Sequence, residues 1–350
     1  MIYSYGVSMV GGTYHKKNNI PCQDSHHIVK CGNNLTVAAV ADGLGSAIHS
    51  EVGSKIAATE SVKYCAQKIA NLSKTDDILG VIKESFTLAQ NSIEKKAQEN
   101  GHSINEYDTT LTLAIMHEDT LYYGHSGDSG IIALTVEGLY EQVTEQQRDD
   151  EGRVFCLYFK EKWEFKRYGQ KVCSVLLATD GMLEAFFPLY IKNEQVNIHV
   201  TLAQFFMDNK ALCIDKEGEE KITAQMKDFI INVPDEQVND DKTIVVMLNT
   251  SIKPSLQPKE YYLEPDWDEL KRKHDEEWKR KAYPHLFKEK TVEKATPEPE
   301  KQDTQEKPAD MKSANVKSTG EMDSNEPHND KQRKGIVARA LEAITIKRKQ

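Results

Sequence analysis

Four acidic sites sit where an apolar run begins or ends. Val37-Ala38-Ala39-Val40-Ala41 runs into Asp42-Gly43-Leu44-Gly45-Ser46. Ser174–Ala178 runs into Thr179-Asp180-Gly181, and Tyr122–Ser126 into Gly127-Asp128-Ser129. Asn239-Asp240-Asp241 precedes Lys242–Leu248. A short apolar run reads as a buried strand, and an Asp at its end is projected from a rigid element into a loop. Carboxylates so placed suit hard divalent cations, Mg²⁺ or Mn²⁺, which take oxygen ligands. Glycine after aspartate lets a backbone carbonyl turn toward an ion at little steric cost. Two ions about 3.5–4 Å apart that share a water lower its pKa and neutralise phosphate oxygens during in-line displacement.

The elements that must hold these residues follow from periodicity. Residues 2–10 predict an edge strand, Gly11-Gly12 breaks it, and His15 to Asn19 predicts a basic polar loop. Residues 26–31 and 35–41 flank Asn33-Asn34 and predict a hairpin, which brings Asp24 and Asp42 to one sheet end. Apolar spacings of three and four predict helices over 51–70 and 78–96. Strands are predicted at 109–116, half-buried by its Thr/apolar alternation, and at 120–123, 131–136, 154–159, 171–179 and 242–248. Helices are predicted near 182–187, 202–208 and 222–231. The order fits an α+β fold with antiparallel sheets rather than a doubly wound one.

The chain has 350 residues, a net charge of −10 and six cysteines without a CxxC pair. Zinc-ribbon chemistry is therefore not indicated, and the cysteines read as reduced core residues of a cytoplasmic protein. The acidic balance argues against a nucleic-acid partner. No transmembrane segment or secretion signal is expected. Four segments are predicted: a catalytic domain over 1–250, a helical extension over 251–289 with a charged helix near 267–281, a disordered charged linker over 290–334, and a short basic amphipathic helix over 335–350. That last stretch is a candidate for a partner or an acidic membrane surface.

The set Gln23-Asp24-Ser25, Ala41-Asp42-Gly43, Gly127-Asp128-Ser129, Ala178-Thr179-Asp180-Gly181 and Asp240-Asp241-Lys242-Thr243, in this order, resembles the protein phosphatase 2C family over residues 1–250. The Asp42-Gly43-Leu44-Gly45-Ser46 form resembles its bacterial branch. The resemblance implies a central sandwich of two antiparallel β-sheets flanked by α-helices. It also implies a metal-dependent protein serine/threonine phosphatase that attacks phosphoserine or phosphothreonine with water activated by two Mn²⁺ or Mg²⁺ ions. Asp42 would bridge the ions, Gly43 would give a carbonyl to the second, and Asp180 and Asp240 would complete the first. Asp24 would act around the second ion, directly or through water. Asp128, Asp180 and Glu184 would hold a weaker third ion. Expected partners are a phosphoprotein substrate, a cognate Ser/Thr kinase and a von Willebrand A-type protein.

The chain departs from the family pattern at three places. Neutral Gln23 replaces a frequent Glu, and Leu44 stands where eukaryotic members carry a proposed general-acid His. Asn19 stands near a phosphate-gripping Arg, with His15, Lys16 and Lys17 as substitutes for it. These departures keep two alternatives open, a catalytically silent phosphatase-like binding module and a phosphatase for small metabolites. Of the remaining residues, Asp241 reads as a turn or supporting residue, and His125 as a hydrogen-bonded core histidine. Cys22 reads as packing, and Trp267 and Trp278 as anchors folded back on the domain.

Overall fold

A computed structural model describes residues 1–69, 77–188, 191, 194, 196–208, 218–233 and 238–287. The expected linker over 290–334 and terminal helix over 335–350 lie outside these residues. Ten strands form two five-stranded antiparallel sheets. One sheet has the order β1 (Ile2–Met9), β10 (Lys242–Asn249), β9 (Val172–Ala178), β6 (Gly130–Thr135), β7 (Tyr140–Gln142). The other has β2 (Ser25–Lys30), β3 (Leu35–Ala41), β4 (Leu111–His117), β5 (Thr120–Ser126), β8 (Glu164–Arg167).

The near-continuous apolar character of the central strands has a packing cause, since both of their faces are covered. In β3, Ala38 and Val40 meet Val245 and Met247 of β10 and Val175 and Leu177 of β9 between the sheets. Its alternate residues Val37, Ala39 and Ala41 pack instead against α2 (Ser50–Ile69) and α3 (Ile78–Asn100), on Val62, Ile82 and Phe86. On the far side Leu176, Ala178, Ile244 and Val246 pack under α4 (Asp180–Phe186), α5 (Val200–Met207) and α6 (Glu219–Ile231). Each full burial of a Val, Leu or Ile side chain stabilises by about 1.5–3 kcal/mol. The result is four layers, helices–sheet–sheet–helices, the sandwich expected from the resemblance.

The predicted hairpin forms with Ser25 opposite Ala41 and Lys30 opposite Thr36. β1 is an edge strand, paired with β10 alone. Several expectations need correction. Residues 13–18 are a short helix, α1 (Thr13–Asn18), not a loop. It starts after Gly12 at φ 67° and stops at Asn19 at φ 54°, a left-handed position that Asn tolerates. His-Lys-Lys-Asn has no apolar period, so nothing in the sequence announced it. Residues 154–159 are not a strand. Phe155 N–H donates to Gln147 O and Leu157 N–H to Thr109 O, so the segment is a loop, and it reads as apolar because Leu157 packs into the core beside α2 and α3. β4 is fully buried up to Met116 rather than half-buried, because α2 and α3 cover its Leu111, Leu113 and Ile115 face and the other sheet covers the opposite face, which Thr112 shares with Ala114 and Met116. β7 and β8 were not predicted. β8, Glu164-Phe165-Lys166-Arg167, is a charged edge, a composition that discourages strand pairing with other chains.

The segment after β10 folds back on the sheet of β7. Ser255 N–H donates to Val136 O, Tyr140 N–H donates to the Tyr261 hydroxyl, and Glu264 accepts from His199. α7 (Trp267–Ala282) then begins at an Asp266 N-cap whose side chain accepts from Glu269 N–H. Trp267 packs edge-on against His199 at 5.0 Å, as expected of an anchor. Trp278 does not; it is 56% exposed. Among the described residues no helix is long and apolar enough to cross a membrane, and Cys22, Cys31, Cys65, Cys156 and Cys173 are free thiols.

Candidate metal centre

The acidic sites meet at one edge of the sandwich because antiparallel register puts the relevant strand ends there. Ala178 of β9 pairs with Gly130 of β6 and Ile244 of β10, so Asp180, Asp128 and the Asp240-Asp241 turn emerge together. Ser25 opposite Ala41 does the same for Asp24 and Asp42 in the other sheet. Carboxylate oxygens of Asp42, Asp128 and Asp180 all lie within 4.8 Å of one another.

Each carboxylate is held by its own local device. Asp42 is fixed through its backbone: its N–H donates to Thr110 Oγ1 at 2.9 Å, and its carbonyl accepts from Thr110 N–H and Thr109 Oγ1, both at 2.8 Å. Gly43 N–H donates to Gln23 O, and a Cβ on Gly43 would stand 2.6 Å from Ser50 O and 2.8 Å from Gln23 O. Only glycine fits between these two backbone segments. Gly127, at φ 114°, turns the chain out of β5 into Asp128. Asp24 is buried, and its Oδ2 accepts from Thr179 Oγ1 at 2.7 Å. Asp240 stands beside Gly181, with its Oδ1 accepting from Asp241 N–H at 2.8 Å.

Asp241 is occupied structurally. Its Oδ1 accepts from Gly11 N–H at 2.9 Å and its Oδ2 from Gln23 N–H at 2.6 Å, and His15 Nδ1 lies 3.1 Å from Oδ1. It ties the start of α1 and the approach to Asp24 onto the turn before β10. Gln23 is buried and donates from Nε2 to Ser50 Oγ at 2.5 Å, while its carbonyl accepts from Ser54 Oγ. The neutral amide thus serves as a tie to α2. His125 is buried and saturated, bonded to Thr112 Oγ1 and Glu145 O at 2.9 Å each. Burial and the neighbouring Asp24 and Asp241 hold the Cys22 thiol well above its ordinary pKa.

The charges are strained by their proximity. Burial, and then Asp24, Asp180 and Asp128, push the Asp42 carboxyl well up. Burial and Asp241 do the same for Asp24. Asp128 is raised to about 7 by burial and by Asp180, against the pull of Arg148. Asp240 is raised by burial and Asp180. Asp180 is the neighbour common to all four. A set of carboxylates that repel one another in a low-dielectric edge is stabilised by cations.

One cation of the chain already answers that demand. Arg148 Nη2 lies 2.6 Å from Asp128 Oδ2 and 3.2 Å from Asp180 Oδ2. Sequence reasoning missed it, because Arg148 follows β7 in a polar loop without motif. The loop reaches the site through Gln147, whose N–H donates to Gly127 O and whose Oε1 accepts from Gly127 N–H, and through Gln146, which donates to Asp128 O. The other Asp128 oxygen, Oδ1, is buried with no hydrogen-bond partner, the only carboxylate oxygen so placed among the described residues. An orphaned buried oxygen in a cluster of like charges is what a divalent-cation seat looks like without its ion, so the donor set fits the metal ions the sequence implies. Glu184 is exposed on α4 and falls outside the three-carboxylate cluster. His15 is engaged with Asp241, while Lys16 and Lys17 are exposed on α1.

Comparison with known proteins agrees with this architecture. A family model described as protein phosphatase 2C matches residues 11–230. No curated protein matches the sequence. Similar solved structures include the serine/threonine phosphatase Stp1 from Staphylococcus aureus (16% identity, TM-score 0.47, covering 71% of this chain and 95% of that one). They include the S. agalactiae serine/threonine phosphatase (14%, 0.48, 71% and 100%). A third is the catalytic domain of the phosphatase PstP in complex with two manganese ions (16%, 0.46, 71% and 97%). With its family model matched over well more than half of its length, the chain belongs to the protein phosphatase 2C family.

Proposed function

We propose that the protein is a metal-dependent serine/threonine protein phosphatase acting on phosphoproteins, in opposition to a Ser/Thr kinase. The observation that carries this reading is the convergence of Asp42, Asp128 and Asp180 from three separate strand ends, with one buried oxygen left unpartnered. Asp42, the Gly43 carbonyl, Asp180 and Asp240 would hold two Mn²⁺ or Mg²⁺ ions, with Asp24 behind them and Asp128, Asp180 and Glu184 around a weaker third. When bound, such a pair supplies an activated water and neutralises phosphate charge.

The chain's own residues do the rest. Asp241 and Gln23 fix the loops that carry Asp240 and Asp24. Thr109 and Thr110 fix Asp42, so the ligand set is in place before substrate arrives. Arg148 sits on the acidic cluster, 37% exposed, as a guanidinium able to pair with a phosphate dianion. Lys16 and Lys17 on α1 add positive charge at the rim. Leu44 offers no proton, so the departing seryl or threonyl oxygen takes its proton from water or from another residue.

The test is phosphate release from a phosphothreonine peptide by wild type and Asp180→Asn, with Mn²⁺ and with EDTA. Mn²⁺-dependent release that falls by at least about 10²-fold in the variant supports the reading. Folded, manganese-loaded protein that releases nothing overturns it in favour of a binding module. Release from small phosphate esters but not from phosphopeptides assigns the metabolite alternative.

A further inference from the structure

Outside the carboxylate centre, a second group of metal-ligating side chains is brought together. His49 lies just before α2, His102 just after the Gly101 C-cap of α3, and Glu106 in the 3-10 turn Ile104–Tyr107. One ring nitrogen of each histidine and a Glu106 carboxylate oxygen all lie within 4.8 Å of one another. The imidazoles stack at 4.4 Å with planes 7° apart, and His49 Nε2 is 3.9 Å from Glu106 Oε2.

We propose that His49, His102 and Glu106 form a transition-metal site of the zinc class, which clamps the loop leaving β3 to the loop leaving α3. Two imidazoles and one carboxylate are the donor set of three-ligand zinc sites with an open fourth position, and differ in kind from the all-oxygen set around Asp42.

Two of the three side chains are held by bonds of their own. Glu106 Oε1 accepts from Ser103 N–H at 2.9 Å in a capping box, which leaves Oε2 toward His49. His102 Nδ1 is bonded to the Tyr107 hydroxyl at 2.8 Å, and the same hydroxyl accepts from Asn100 Nδ2 at 2.9 Å. In the tautomer in which His102 Nδ1–H donates to that hydroxyl, Nε2 is bare for a metal, the usual support for a ligating histidine. Tetrahedral zinc at about 2.0–2.1 Å from nitrogen needs ligand atoms roughly 3.3 Å apart. Closing the set takes a swing of side chains at the surface and a turn of one imidazole out of the stack, at a place where His102 is exposed and His49 and Glu106 are half-buried.

The loops involved are already stitched by His49 N–H to Glu106 O at 2.7 Å and Leu44 N–H to Asp108 O at 3.0 Å. A bound ion would add a side-chain crosslink to that seam. The site does not depend on the phosphatase reading, and its test does not measure phosphatase activity.

The experiment is Zn²⁺ titration by calorimetry of full-length protein held in excess Mg²⁺ to fill the carboxylate centre. The variants are His102→Ala, Glu106→Gln and Asp180→Asn, each checked for fold by circular dichroism. The expected result is one zinc per chain in wild type and Asp180→Asn, weakened at least 100-fold in His102→Ala and Glu106→Gln. Glu106→Gln retains an oxygen to accept from Ser103 N–H, so its loss of zinc cannot be ascribed to loss of the turn. Zinc should also raise the melting temperature of wild type but not of those two variants. No zinc binding by wild type, or the same binding in His102→Ala and Glu106→Gln, would overturn the proposal.

Discussion

Asp128→Asn should make the metal-free protein more stable, although it removes a carboxylate from the centre. Asp128 is 2% exposed, and burial with Asp180 lifts its folded-state pKa from 3.8 to about 7. A carboxyl raised in this way keeps a proton in the fold that it releases in the unfolded chain, so the native state is penalised progressively as pH rises from about 4 to 7 and fully above that. The penalty is roughly 3 pKa units at 1.36 kcal/mol each, on the order of 4 kcal/mol at pH 8, and smaller at pH 5. Asparagine is isosteric and uncharged, so it escapes the penalty. The raised pKa is already net of the pull of Arg148, so the loss of that ion pair is not subtracted again. The net expectation is a variant more stable than wild type by on the order of 4 kcal/mol at pH 8 in EDTA, with the gap shrinking as pH falls toward 4. Urea unfolding followed by tryptophan fluorescence at the two pH values measures it, with m-values checked for constancy. Saturating Mn²⁺ should narrow the gap by stabilising wild type, by about 2.7 kcal/mol at a hundredfold excess over Kd. A variant less stable than wild type at pH 8 without metal, or a gap independent of pH, would refute the view that this edge is a repulsive carboxylate set held ready for cations.

Three further expectations follow from the same geometry. Arg148→Ala removes a guanidinium seated on Asp128 and Asp180, so Mn²⁺ binding measured by calorimetry should tighten about fivefold, the equivalent of one exposed pair; weaker binding would show that Arg148 aids rather than opposes the metal. Gly43→Ala drives a Cβ to 2.6 Å from Ser50 O and 2.8 Å from Gln23 O, both backbone atoms, and should cost more than about 2 kcal/mol in thermal unfolding. His125 is held neutral by burial, its pKa lowered to about 4, so its contribution is complete above about pH 6.5 and drains as pH falls toward 4. His125→Leu should flatten that acid limb while lowering stability at pH 7, because Thr112 and the Glu145 carbonyl lose their partner.

The sequence alone determined β1 to β6, β9 and β10, the two long helices and the acidic exits. Buried strands and amphipathic helices are written in local periodicity, and Asp42, Asp128, Asp180 and Asp240 mark the ends of apolar runs. The β2–β3 hairpin was legible because its Asn-Asn turn is local, and with it the neighbourhood of Asp24 and Asp42. Tertiary structure decided what depends on residues distant in the chain. Arg148 carries no local signal; it reaches Asp128 and Asp180 only because Gln146 and Gln147 bind Gly127 and Asp128 across the fold. Asp241 looked like a turn residue, and its two oxygens proved to tie together loops more than 200 positions away in sequence. The apolar stretch at 154–159 read as a strand because periodicity cannot distinguish pairing from loop packing. The meeting of His49, His102 and Glu106 was invisible for the same reason, since α3 must fold back on α2 before the two ends of that path come together. Local patterning fixes which residues are buried, and only the packing of sheet on sheet and helix on sheet fixes which polar groups those elements bring face to face.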